Sequence, residues 1–398
     1  MISYADALAL LVADAPRLAS ERVGIDDAQR RLLAADLVSP LSLPGFDNAA
    51  MDGYALRAPG EYITAGSTYA VSAMHAAGDC ADAYPGAEAC EIATGARMPA
   101  GFDTVVPVER SERDDERVRF VTDEPRGQNV RKAGGDIEAG ALALNAGRRI
   151  DPAAVMLLAA LGIDMVDVVR KPRVAVIATG SELNATGPLP PGGIHDSNGP
   201  FLAACLATWG ADVVLRSRVK DTGDGFHDAV HVARQAGADL IVTTGAVSAG
   251  RFDFVPSALA SLGAQLLFHK VAIRPGKPLL AARFDAGPLV MALPGNPIAV
   301  AVGYRFFVAP VLRAMAGLPP EQSTRVSLDD AHGASPGLSH FGLGTLHTDE
   351  AGHQRARMLP AQAAYRILPY TRADTWLTRH PDTPDVVDAW PLDPVDAR

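Results

Sequence analysis

The sequence predicts a multidomain α/β protein in which one doubly wound parallel-sheet domain is joined to smaller β-rich domains. Three observations predict it. A chain of 398 residues, at about 150 per domain, holds roughly two to four domains. From Lys171 onward, short apolar runs alternate with helix-length segments, the pattern of right-handed βαβ units whose strands are buried on both faces. Gly and Pro number 37 and 30, enough for many sharp turns between short elements.

Met1–Arg17 lacks a basic leader, and Asp6 and Asp14 flank its apolar stretch, so it reads as an amphipathic helix. Leu43–Asp136 has little helical periodicity. Its strand-like runs, Tyr69–Ala73, Thr104–Val108 and Val118–Val121, predict a small β-rich domain over 44–136. The mixed charges of Glu109–Arg119 mark a solvated hairpin tip. Ile150–Gly162 reads as a helix with Pro152 in its first turn. Arg173–Thr179 is a buried strand closed by Gly180. Asn198–Trp209 is a helix with Gly210 suited to its C-terminal cap, and Val213–Val219 a second strand. Gly225–Gln235 is a helix ended by Gly237, and Asp239–Thr244 a third strand leading into the turn Gly245–Gly250. A helix over Phe254–Leu262 and a strand-like Ala264–Ala272 follow. Pro288–Leu293 then runs into Pro294-Gly295-Asn296-Pro297 and a helix to about Ala316. These elements place the α/β domain at 171–318, and Pro319–Pro320 opens a C-terminal β domain over 319–398.

Composition excludes several functions. Lys plus Arg is 36 and Asp plus Glu 46, a net charge of −10, which argues against nucleic-acid partners and polybasic membrane binding. Hydrophobic residues at 48% exclude global disorder. Cys80, Cys90 and Cys205 form no CxxC pair and fit a reducing compartment as buried thiols, with a Cys80–Cys90 bridge the alternative. The uncharged run Ala153–Ile163 falls far short of the ~20 residues that a membrane span needs. A soluble, cytoplasmic protein is expected.

Ligands of open parallel sheets bind beyond the carboxyl ends of the strands. Those ends carry Thr179-Gly180-Ser181-Glu182-Leu183, the turn from Gly245 through Ser248 to Gly250 with Asp253 beyond, and Pro294-Gly295-Asn296-Pro297. Each sets Gly beside an expected helix start, where free N–H groups can receive phosphate oxygens. Three such turns on one edge favour a phosphate or nucleotide cleft, although any one of them reads equally well as an ordinary strand-to-helix turn, with Thr179 and Glu182 as a capping box. Glu182, Asp221 and Asp253 accompany the turns. Acids beside a phosphate imply an intervening Mg2+, or else they are acids at helix N-termini. Arg274-Pro275-Gly276-Lys277-Pro278 sets two cations on a rigid turn suited to an oxyanion, and Arg131-Lys132 is a weaker version. His227 and His231 lie one helical turn apart, but they flank an apolar stripe and read as a solvated helix flank rather than a zinc face.

With these residues assembled, the chain resembles the molybdopterin molybdenumtransferase family (bacterial MoeA and the E domain of gephyrin). The most specific match is Pro44-Gly45-Phe46-Asp47-Asn48-Ala49-Ala50-Met51-Asp52-Gly53-Tyr54-Ala55. Ile92–Ala96 with Pro99, Asn129–Arg131 with Gly135–Ile137, Thr179–Leu183, Asp196–Asn198, Gly245–Asp253, Pro275–Pro278 and Leu293–Pro297 match further family segments. The resemblance implies insertion of molybdate into adenylylated molybdopterin with release of AMP, aided by Mg2+. It implies that Asp52, Thr94, Asp136, Glu182 and Asp253 serve catalysis, with Glu182, Asp221 and Asp253 around metal and pyrophosphate. Thr179, Gly180, Asp221, Gly245, Ser248, Arg274, Lys277, Pro294, Gly295, Asn296 and Pro297 would bind substrate in the α/β (MogA-like) domain. It further implies a discontinuous domain over 1–43 and 137–170, and a homodimer in which the β-rich region completes the cleft of the other protomer. The molybdopterin adenylyltransferase is the implied protein partner. The chain departs from the family at Ser181 (Asp there), Ala246 (Gly), Gly135 (Glu) and Thr222 (Asp), and has no clear counterpart of its Gly-Ser-rich motif near Met358–Ala363. These departures leave a non-catalytic molybdopterin-binding or scaffold paralogue as the rival reading. Judged on the α/β turns alone, an unrelated Mg2+-dependent nucleotide transferase is the third.

Overall fold

The computed structural model describes residues 1–79, 84–247, 254–329, 337–379 and 385–394. They divide into two compact units, Arg22–Val168 and Met1–Glu21 with Val169–Arg398.

In the larger unit, the alternating segments from Lys171 onward form one six-stranded sheet. Its strands are β1 (Arg173–Thr179), β2 (Asp212–Val219), β3 (Leu240–Thr244), β4 (Gln265–His269), β5 (Leu280–Arg283) and β6 (Leu289–Leu293), in the order β2-β1-β3-β6-β5-β4. The β2-β1-β3-β6 part is parallel. Here the all-parallel expectation is corrected, because β5 runs antiparallel to both β6 and β4. The physical reason is loop length: Phe284–Pro288 is a hairpin connection, too short for the crossover that a parallel pair needs. Helices α1 (Asn198–Trp209), α2 (Gly223–Gln235) and α3 (Val255–Ser261) accompany the sheet. On α2 the buried residues Phe226, Ala229, Val230 and Ala233 fall at i, i+3, i+4 and i+7, so one stripe packs with Ile177, Ile241 and Val290 of the sheet.

The last helix, α4 (Pro297–Met315), is long and apolar enough to cross a membrane by composition, but 89% of its apolar window is buried inside this unit. A π-helical turn at Tyr304–Val308 carries Arg305, which donates to Glu321 at 2.6 Å and to the Pro391 carbonyl at 2.9 Å. Arg305 and Glu321 are 2% and 6% exposed, so each ion depends on its partner for solvation. After Pro319–Pro320, strands Thr324–Leu328, Ser339–Thr348, Gln354–Met358, Thr375–Arg379 and Val386–Pro391 close into a barrel through the pairing of Ser339–Thr348 with Thr375–Arg379.

Two features cross the boundaries expected from sequence. Ile273–Arg274 leaves the α/β sheet and pairs with Ser339–His340, which ties segment 171–318 to the barrel. The helix Tyr4–Asp14, expected with a domain of 1–43 and 137–170, belongs instead to the larger unit. Its Tyr4 ring sits edge-on to Phe306, Phe307 and Phe341, and this aromatic burial holds it there.

In the smaller unit, the strand order Thr104–Pro107, Gly53–Leu56, Ala89–Ile92, Thr68–His75, Arg117–Phe120, Ser111–Asp114 forms a second sheet. Ser111–Asp114 and Arg117–Phe120 make the expected hairpin, with Asp115 at positive φ in its turn. A separate core of Ala28, Leu33, Leu144, Ile150, Ala154, Leu158, Val166 and Val168 joins the two flanks of that region.

Candidate functional site

The carboxyl ends of β1, β3 and β6 stand level, because Ala178 pairs with Thr244 and Thr244 with Leu293. The turns that leave them enclose a cavity of about 620 Å3. Thr179, Gly180, Glu182, Asp221, Gly245, Pro294, Gly295, Asn296 and Pro297, all singled out in sequence, line it. That volume suits a nucleotide-sized ligand. Ser248 and Asp253 lie outside the described residues.

The turns hold one another. Thr179 Oγ1 donates to the Thr244 carbonyl at 3.0 Å, the Gly245 N–H to Leu293 O at 3.0 Å, and the Gly180 N–H to Val219 O at 3.1 Å. Asn198 Nδ2 donates to Gly295 O at 2.8 Å. Thr179 therefore caps no helix. The strand after it, Leu183–Asn184, pairs with Ile194–His195 before α1 begins, which removes the capping-box reading. Nor are the Gly180 and Gly245 N–H groups free for phosphate, since both are spent on neighbouring turns. The start of α4 is likewise engaged: Pro297 has no N–H, and the Ile298 N–H donates to the Ala364 carbonyl at 2.9 Å. What Gly245 supplies is clearance. A Cβ there would lie 2.5 Å from Thr179 O, and the residue sits at φ +90°. Ala246 follows at φ +49°, a left-handed conformation that costs an L-residue about 1 kcal/mol.

Two carboxylates serve the cavity differently. Asp221 Oδ2 accepts from the Ser181 N–H at 2.9 Å, and Ser181 Oγ accepts from the Asp221 N–H at 3.2 Å. This reciprocal clasp ties the first turn to the loop after β2. Glu182, the next residue, lines the cavity.

Neither Arg274 nor Lys277 lines the cavity, although Pro278 does. Arg274 stands opposite His340, which stands opposite Arg379, so three cationic residue types occupy one row across three strands. Burial, followed by the nearby Arg274 charge, pushes the Arg379 guanidinium below its ordinary value. Sequence reasoning missed His340 and Arg379 because their register with Arg274 exists only after the barrel closes.

A second cluster forms in the smaller unit, where three matched segments become neighbours. Asn48–Ala49 pairs with Val130–Arg131, while Ala49 N donates to Ala96 O and Met98 N to Asp47 O. Within this edge, Asp52 Oδ1 accepts from both the Thr94 N–H (2.6 Å) and the Thr94 hydroxyl (2.8 Å). Those two donors, the N–H first, hold the Asp52 carboxyl below the usual carboxylate range. Lys132 Nζ and the Ala133 N–H do the same for Asp47, at 2.7 and 2.8 Å. Asp136 enters through its backbone, its N–H donating to Leu43 O at 2.9 Å.

Among the described residues no three His, Cys, Asp or Glu side chains form a metal-ligating group. His227 contacts Ser261 Oγ at 3.1 Å on the flank of α2, as a solvated position would. Cys90 is a buried thiol that desolvation pushes up to about 12; Cys205, expected buried, is only half-buried, though desolvation pushes it up likewise, and Cys80 lies outside the described residues.

A cavity of small-ligand size at the carboxyl edge of a doubly wound sheet, in a unit that also holds a barrel, defines a multidomain α/β protein. The comparisons narrow the class. Residues 2–162 match the family described as MoeA N-terminal region (domain I and II), and residues 175–314 match a probable molybdopterin binding domain. A molybdopterin molybdenumtransferase of Synechococcus elongatus is 40% identical over 326 residues, covering 79% of this chain and 80% of its own. That of Bacillus subtilis is 36% identical over 307 residues, covering 74% and 70%. A solved structure of the molybdopterin biosynthesis MoeA protein from Pyrococcus horikoshii superposes with a TM-score of 0.83 at 27% identity, covering 98% of this chain and 99% of that one. The chain belongs to the molybdopterin molybdenumtransferase family.

Proposed function

We propose that this enzyme inserts molybdate into adenylylated molybdopterin in the α/β cavity, releasing AMP, in the cytoplasm. The observation that carries this reading is the convergence of Thr179, Gly180, Glu182, Asp221, Gly245 and the Pro294–Pro297 turn on one cavity of about 620 Å3. The buried free thiol of Cys90 supports the compartment.

Glu182 and Asp221 fit Mg2+ of the kind held by one or two carboxylates plus substrate phosphates. Asp221 Oδ1 and the Glu182 carboxylate would hold the ion, with Asp253 as the family resemblance implies. When bound, Mg2+ would offset phosphate charge. Thr179 and Asn198 hold the turns around the substrate; Arg274 and Lys277 would attract molybdate toward the barrel side. Asp52, ionised and fixed by Thr94, would act with Asp136 in the cavity of a second copy, in the homodimer that the resemblance implies. The adenylyltransferase would deliver the substrate.

The scaffold alternative rests on Ser181, Ala246 and Gly135. Ser181 makes both halves of the clasp with Asp221, so the turn that carries Glu182 is intact, which favours the enzyme. Purified protein incubated with adenylylated molybdopterin, molybdate and Mg2+ is expected to yield cofactor and AMP in equal amounts. Tight molybdopterin binding with neither product would instead favour the scaffold.

A further inference from the structure

Tyr365 was not singled out in sequence and takes no part in the functional reading above. It lies in 359–370, the stretch that includes the region where the family's Gly-Ser-rich motif has no counterpart here. The stretch is fixed on both sides of Tyr365. Gln362 accepts from Leu343 N at 2.7 Å and donates to Leu343 O and Leu359 O, each at 2.8 Å. The Arg366 N–H closes a tight turn on Ala363 O at 3.0 Å, and Ala364 O takes the Ile298 N–H at the start of α4. Beyond the turn, the Tyr370 ring packs on Phe201 and Trp376. Tyr365 sits at the tip of this pinned turn, 67% exposed, and lines the α/β cavity. Leaving most of a large aromatic side chain in water forfeits the gain that burial gives elsewhere. A solvent-facing ring carried on a pinned turn at a cavity wall is an arrangement that can stack a planar ligand. The cavity suits this on its other walls, where Leu183, Ile194, Pro294 and Pro297 supply apolar surface. The Ala364 carbonyl also engages the Ile298 N–H at the start of α4, which ties this turn to the cavity wall.

We propose that Tyr365 is the ring-binding specificity residue of the cavity, stacking on a planar heteroaromatic ring of the substrate. The proposal rests on the assignment of this cavity to adenylylated molybdopterin, which carries two such rings, adenine and pterin. The test compares wild type with Tyr365→Ala, Tyr365→Phe and Tyr365→Trp. Each is titrated by calorimetry with AMP, with a free pterin and with inorganic pyrophosphate, and KM and kcat are measured for cofactor formation. Thermal melting checks the fold, and the exposed position predicts unchanged melting for all three variants. Tyr365→Ala is expected to weaken one ring ligand by about 5- to 150-fold, the span seen for base–aromatic stacking. Tyr365→Phe and Tyr365→Trp should stay within about threefold of wild type. Pyrophosphate affinity should not move, and KM should rise with little change in kcat. A loss confined to AMP assigns the stacked ring as adenine, and a loss confined to the pterin assigns it as pterin. Unchanged binding of both ligands by Tyr365→Ala overturns the proposal, as does failure of the wild type to bind either. Ring binding that depends on Tyr365, in a protein that forms no cofactor, would sustain the stacking role and refute only the proposed reaction.

Discussion

The α/β cavity and the Asp52–Thr94 edge use carboxylates in opposite ways. At the edge, Asp52 is braced by its own partner, since one oxygen takes both donors of Thr94 and its ionised form is stabilised locally. In the cavity the bracing and the presenting carboxylates are different residues. Asp221 gives Oδ2 to Ser181, which leaves Oδ1 for a ligand, and Glu182, the residue after Ser181, lines the cavity on the turn so braced. An acid locked by hydrogen bonds keeps its charge and position, whereas an acid carried on a braced turn can meet a ligand as it arrives. The first suits electrostatic orientation, the second ligation or proton handling.

The largest effect should come from filling the space where the cavity turns approach. Gly245→Ala puts a Cβ 2.5 Å from Thr179 O at a positive φ, so the turns must separate. A loss of about 3 kcal/mol in denaturant unfolding, with ligand binding abolished, is expected. The division of labour between Asp221 and Glu182 comes next. Asp221→Asn keeps an acceptor for the Ser181 N–H, while Asp221→Ala removes it. Both variants should lose activity with the Asp221 charge, and the alanine variant should fall at least tenfold further because it also loses the clasp; equal loss in both would leave the clasp no part in the activity.

At the edge, Thr94→Val removes the hydroxyl donor but keeps the N–H. The Asp52 carboxyl should then titrate at higher pH than in wild type, by carboxyl-resonance NMR, and Thr94→Ser should leave it unchanged. The sign for folding follows. A carboxyl lowered in the folded state adds stability above its unfolded value, and this is lost as pH falls through the folded value. Thr94→Val should therefore flatten the acid limb of the stability profile. The smallest effect should be at Ala246. Glycine there relieves a left-handed conformation at φ +49° and should gain under about 1 kcal/mol, net of the added unfolded-chain entropy.

The same contrast governs what could be read from sequence. The cavity was legible because a doubly wound sheet brings its functional turns to one edge, and each turn follows its strand directly in the chain. β5 escaped because Leu280–Arg283 is short and its pairing depends on a hairpin register rather than on periodicity. The edge was legible only through resemblance. Asp52 and Thr94 meet because segments around residues 48, 96 and 130 form adjacent backbone ladders, a register that no local pattern encodes. Arg274, His340 and Arg379 share that limitation, as does Tyr365, whose neighbours in space come from α4 and the barrel.

The proposal that both acid sets serve one reaction, each from a different copy of the chain in a homodimer, is tested most directly by complementation. Asp52→Ala and Glu182→Ala proteins, each inactive alone, should be refolded together and assayed for molybdenum cofactor formation. Random pairing gives about half mixed dimers, each with one intact site, so about a quarter of wild-type activity should return. A mixture as inactive as its components would contradict the account.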